Sequence, residues 1–181
     1  MSNQIQIYIL GKLLHKNTYP YQLKKELSEP IPFAQLTSLT ESKLYYHFES
    51  LTKQGFIEPV EIIKEEHRPD KQVFAITELG KQQLPLKIYE QFEKAKSITD
   101  FMTGIIFIDF VERDNVISIL KAKLTKLYAN DEKLKQMKQA LSPNIPKQAF
   151  IDFVETYHSE RRMHEIDSLE QLITKLETEE I

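Results

Sequence analysis

Lys24 and Lys25, then Ser42, Lys43 and Tyr46, then Arg68 and Lys71 form three short groups whose side chains suit contact with a polyanion. Lysine and arginine neutralise phosphates, and serine or tyrosine hydroxyls hydrogen-bond to phosphate oxygens. On a helix seated in a major groove, Ser42, Lys43 and Tyr46 would also meet base edges, where lysine bonds guanine acceptors. Other reactive residue types form no comparable set. His158 and His164 lie six apart and share no helical face, and Glu160 with His164 reads as a polar surface pair rather than a metal site. Glu155 and Glu160 are expected to pair with Arg161 and Arg162. No serine or threonine stands with a histidine in a nucleophile arrangement, and no carboxylate pair sits in a recognisable motif. Neither enzymatic activity nor a cofactor is expected.

These groups need elements to hold them. Residues 3–16 read as a first helix with Ile5, Ile7, Ile9, Leu10, Leu13 and Leu14 as its apolar face. Thr18 or Tyr19 starts a second helix over 20–28, since Pro20 suits the first helical position. Its inward residues are expected to be Tyr21, Leu23 and Leu27. A connector with Phe33, Leu36 and Leu39 leads to a helix capped by Thr40, in which Leu44, Phe48 and Leu51 repeat at helical spacing. Ser42, Lys43 and Tyr46 then fall on its outer face, with Tyr45 partly inward and Glu49 too far along to approach DNA. Gly55 is placed as the glycine that ends the helix. Residues 56–63 and Val73, Phe74 and Ile76 read as two strands around a charged turn. Thr77 caps a further helix that Pro85 kinks or restarts. Residues 98–111 read as a buried helix, and two long amphipathic helices follow, separated by a hinge at 142–146. Val116, Ile117, Leu120, Leu124, Leu127, Leu134 and Leu141 stripe the first. Phe150, Val154, Tyr157, Ile166, Leu169, Ile173 and Leu176 stripe the second. Such stripes must be covered, by each other, by the first domain or by a second subunit.

The fold class is therefore mainly α. An N-terminal winged helix-turn-helix, three helices and a two-stranded wing, occupies 1–84, and a C-terminal helical domain occupies 85–181. The whole chain carries 24 basic and 27 acidic side chains, a net charge of −3. Residues 1–84 hold 10 of each, so the excess acid lies in 85–181, with 14 against 17. A neutral head can still present one positive face, because charge acts over roughly 8–10 Å at physiological salt. There is no cysteine, which excludes disulfides and thiolate metal sites and fits a cytoplasmic location. No apolar run approaches the ~20 residues of a membrane span.

Four blocks carry a family resemblance: Tyr21-Gln22-Leu23-Lys24-Lys25, Ser42-Lys43-Leu44-Tyr45, Leu51 to Glu58, and Arg68 to Gly80. In this order and spacing they resemble the PadR family of bacterial transcriptional regulators over about residues 5–84. Residues 85–181 resemble, by helix layout, the longer C-terminal domain of the subgroup with phenolic-acid repressors and virulence-type activators. The resemblance implies a homodimer held by C-terminal helices, with two recognition helices in successive major grooves of double-stranded DNA at an inverted-repeat operator. It also implies transcription regulation, for instance as a repressor, and control by a small, for instance phenolic, effector. Lys24, Lys25, Ser42, Lys43, Tyr46, Arg68 and Lys71 are the DNA-binding candidates. Tyr89, Phe92, Phe101, Phe107 and Phe110 are the effector-site candidates, although core packing at a domain junction is the plainer reading. Pro20 stands where the family has glycine, and Tyr46 where proline usually follows the tyrosine. A drug-sensing form with a tryptophan-lined pore is disfavoured, because the chain has no Trp. The alternative function is a winged-helix protein–protein module without DNA binding, which the acidic net charge favours.

Overall fold

Six consecutive residues of the first helix, Ile5 to Leu10, are buried, so this helix is covered on every side over two turns. The computed structural model describes residues 2–27, 41–64, 70–139 and 148–181. Helix α1 (Ser2–His15) is followed by α2 (Pro20–Leu27), α3 (Glu41–Lys53), strands β1 (Ile57–Ile63) and β2 (Lys71–Ile76), and α4 (Glu78–Lys94). Two 3-10 turns, Ile98–Phe101 and Ile108–Phe110, then flank the short α5 (Met102–Ile106). The long helices are α6 (Arg113–Gln139) and α7 (Gln148–Glu177). The described residues separate into two compact units at Val111/Glu112.

In the first unit α1 is the central rod, with α3, α4, α5 and β2 packed around it. Leu44, Phe48 and Leu51 of α3 are essentially inaccessible, as their spacing predicts. Each contributes roughly 1.5–3 kcal/mol through burial. His47 joins this inner face, which the apolar pattern alone does not reveal. On α2, Leu23 is buried, but Tyr21 is 54% exposed rather than inward. With Pro20 opening the helix, Tyr21 falls on the side away from Leu23. The Leu27 side chain, the 29–39 connector and the Thr40 cap lie outside the described residues.

Gly55 ends α3 at φ +73°, a conformation in which a side chain is strained. The strands that follow are antiparallel, from Ile57 opposite Ile76 to Ile63 opposite Lys71, with a register slip between Pro59 and Glu61. Pro59 has no N–H to donate, so it needs a position where none is required. It has one. Its partner is Phe74, whose own N–H and C=O both turn the other way, to the C=O and N–H of Thr18 at 2.9 and 3.2 Å. The segment between α1 and α2, expected only as a helix start, thus also makes a β-bridge on the far side of β2.

Thr77 caps α4 by accepting from the Gly80 amide at 3.1 Å, and its hydroxyl donates to the Gly55 carbonyl at 2.6 Å. Pro85 neither ends nor restarts α4, which runs unbroken to Lys94. The seam between α1 and α4 carries polar stitches: Asn3 donates to the Lys87 carbonyl at 2.9 Å and Lys87 to the Gln6 side chain at 2.8 Å. This helix runs through residues 84 and 85, and the first compact unit ends at Val111.

Residues 98–111 are not one buried helix but two 3-10 turns around five α-helical residues. Asp100 accepts from the Lys96 and Ser97 amides at 3.1 Å each, closing the first turn tightly. An unbroken apolar run tells burial from exposure but cannot tell a helix from a sequence of turns.

In the second unit α6 and α7 are antiparallel. Lys121 meets Glu177 at 2.6 Å, the Tyr128 hydroxyl donates to Glu170 at 2.6 Å, and Arg162 bonds Asp131 at 3.2 Å, so the order reverses along the two helices. Val116, Ile117 and Leu120 are buried, as are Ile166, Leu169, Leu172, Ile173 and Leu176. The stripe expected along the whole last helix is buried only in its C-terminal half. Phe150, Phe153 and Tyr157 stand 64%, 69% and 54% exposed. Arg162, expected to pair along its own helix, pairs across to Asp131 of α6. Leu141 and the hinge lie outside the described residues.

Candidate nucleic-acid interface

Helix α3 has two chemically different sides. Opposite the buried Leu44, His47, Phe48 and Leu51, it presents Ser42, Lys43 and Tyr46 to solvent, with Tyr46 65% exposed. The Tyr46 ring rests edge-on against His47, centroids 5.1 Å apart, which steadies an otherwise free side chain. Burial, and then the nearby Lys43 charge, push the His47 imidazole below its ordinary pKa. His47 Nδ1 has no hydrogen-bond partner among the described residues. Helix α3 therefore holds an inward histidine, its pKa lowered by burial, one residue from its outward tyrosine.

Helix α2 packs on α3 and exposes Lys24 and Lys25. Its Glu26 is engaged with Lys12 of α1 at 3.0 Å. Glu26 is also the secondary cause, after burial, of a raised pKa at the Tyr8 hydroxyl. From the wing, Lys71 places its ammonium 5.5 Å from the centre of the Tyr19 ring. Arg68 lies outside the described residues.

Lys71 also lines a cavity of about 630 Å³, together with Tyr19, Tyr21, Tyr45, Glu49 and Asp70. Phe48 and Phe74, whose rings are 5.0 Å apart, reach the same cavity from α3 and β2. It joins the start of α2, one side of α3 and the start of β2. Tyr45 is 46% exposed here rather than turned partly inward. Glu49, one helical turn further along α3, lines the same cavity. Spacing along one helix cannot reveal this meeting, because the cavity is made by three separate elements.

Of the effector-site candidates, the four phenylalanines pack in the first unit, in keeping with the plainer reading of core packing. Phe92 and Phe101 are buried and stacked at 5.4 Å. Phe107 is buried, with Tyr8 at 6.1 Å and Phe110 at 6.2 Å. Phe110 in turn meets His15, at 5.7 Å, while Tyr89 is partly exposed on α4. Phe92, Phe101 and Phe107 belong to the core of the first unit. Among the described residues no cluster of three or more potential metal ligands occurs, and no helix is long and apolar enough to cross a membrane.

Residues 9–85, from α1 through the wing into α4, match the model of the Transcriptional regulator PadR-like family. The chain carries a PadR-like domain. The PadR-like domain accounts for the three helices, the two-stranded wing and the wing exit at Thr77 to Gly80. A comparison with the curated proteins finds no match. Among solved structures, the chain is similar to Bacillus subtilis PadR in complex with operator DNA, at 22% identity and a TM-score of 0.40, covering 94% of this chain and 98% of that one. It is also similar to smu.1604c from Streptococcus mutans UA159, at 19% identity and a TM-score of 0.42, covering 96% of each chain. A PadR family transcription regulator from Clostridium difficile R20291 shares 24% identity at a TM-score of 0.39, over 48% of this chain and 84% of that one.

Proposed function

We propose that this chain is a DNA-binding transcriptional regulator of the PadR type. In this reading residues 1–84 are the reading head and residues 85–181 carry dimerisation and regulation. The observation that carries it is the two-sided α3 within the PadR-like domain, with Leu44, Phe48 and Leu51 inward and Ser42, Lys43 and Tyr46 outward. Helix α3 enters the major groove, Lys24 and Lys25 hold phosphates from α2, and Lys71, with Arg68, does so from the wing. The protein acts as a homodimer on an inverted repeat, under the control of a small effector. The exposed Phe150, Phe153 and Tyr157, at i, i+3 and i+7 on α7, supply an apolar stripe for the second copy.

Four phosphate contacts per subunit make eight per dimer, for which the logarithm of affinity falls against the logarithm of salt with a slope of roughly −7. Anisotropy titrations of promoter fragments at several salt concentrations read this slope directly. One fragment is expected to bind at least about a thousandfold more tightly than random duplex. Equal, weak binding to every fragment would sink the reading and favour the alternative, a winged-helix protein–protein module. The feature that speaks for that alternative is the pair of carboxylates, Glu49 and Asp70, beside the proposed DNA face.

A further inference from the structure

The cavity between α2, α3 and β2 has the size of a small-molecule site, and such sites combine aromatic walls with a few polar groups. Tyr19, Tyr21 and Tyr45 supply three electron-rich faces, and Phe48 and Phe74 supply more aromatic surface. Among the described lining residues, two carboxylates (Glu49 and Asp70) stand against one ammonium (Lys71). That ammonium already lies over the Tyr19 ring at 5.5 Å, so the walls hold a positive charge with the protein's own side chain. An aromatic cage of this kind favours organic cations, most of all those that hydrate weakly. An anion would instead meet both carboxylates.

We propose that this cavity binds a small aromatic or alkyl quaternary ammonium cation, held by Tyr45 and Tyr21 and by the charges of Glu49 and Asp70. The site is separate from the Phe92–Phe101 and Phe107–Phe110 packing and needs no second subunit. Where the DNA-binding reading holds, the occupant lies between recognition helix and wing and competes with duplex. That consequence rests on the proposed function; the binding itself does not.

The test is calorimetric titration of the full chain, without DNA, with (4-phenylbutyl)trimethylammonium and, separately, with 4-phenylbutanoate. The expected result is saturable binding of the cation at one per chain and at least about tenfold weaker binding of the anion. Tyr45→Ala and Glu49→Gln are expected each to weaken the cation by roughly three- to tenfold, and Tyr45→Phe to retain it. Both positions are exposed, and circular dichroism of each variant verifies folding. Absence of cation binding, equal or tighter binding of the anion, or indifference to both substitutions would overturn the proposal. A second arm repeats the DNA titration with saturating cation. Cation binding without any DNA binding would refute the function and leave the site standing, whereas specific DNA binding without cation binding would do the reverse.

Discussion

His47 follows Tyr46 in sequence, but its side chain is buried while that of Tyr46 faces solvent. Its pKa lies below the ordinary imidazole value of 6.5 because burial and Lys43 disfavour the charged form. The unfolded chain therefore takes up this proton at higher pH than the folded chain does. The stability tied to neutral His47 is complete above about pH 6.5 and is lost as pH falls toward the folded value. The melting temperature of the wild type is expected to fall more between pH 7.5 and 5.5 than that of His47→Gln. Parallel curves for the two proteins would show that His47 is not the titrating group. On the other side of the helix, replacing Lys43 and Tyr46 by alanine is expected to weaken specific DNA binding at least about tenfold. Both are solvent-facing, so the melting temperature should move by only a degree or two. The inward stripe of α3 was legible because Leu44, Phe48 and Leu51 repeat at helical spacing. The burial of His47 was not, because a polar residue gives no sign of its environment until its neighbours are placed.

Among the elements, a close junction lies where the turn after α3 meets the start of α4. A Cβ added at Gly80 would come within 2.0 Å of the Phe56 carbonyl oxygen, a backbone atom that cannot move without disturbing β1. Gly80→Ala is therefore expected to cost about 3 kcal/mol, although alanine is the better helix former. Gly55→Ala, where only positive φ is at stake, should cost about 1 kcal/mol. Urea denaturation of both variants tests the order, and equal losses would mean that the close approach relaxes freely. The Thr77 cap, the stop at Gly55 and the paired strands could be read from local chemistry. The break-up of 98–111 could not, since its turns are closed by Asp100 and packed on α1 and α4. Nor could the tyrosine-lined cavity, because its walls come from residues 19–21, 45–49 and 70–74.

Across the whole chain, charge and exposed apolar surface are distributed unevenly. The excess acid belongs to residues 85–181, and within them α7 leaves Phe150, Phe153 and Tyr157 open. A stripe of this kind is a stable feature only when another surface covers it. Phe153→Glu is expected to convert a dimer to a monomer in sedimentation velocity while leaving helicity unchanged. A wild type that is monomeric at every concentration would remove the dimer from the proposed function. The helical length of α7 was legible from its stripe, but the point where burial stops was not, since periodicity names a face without naming its cover. One bond pair reaches across several elements. Because Phe74 directs both backbone groups to Thr18, the wing's inner strand is fastened to the lead-in of α2 like a hem to its lining. Lifting the wing must then either peel Thr18 away or carry the start of α2 with it. In deuterium exchange the amides of Thr18 and Phe74 should lose protection together, reporting at the lead-in of α2 on motions of the wing.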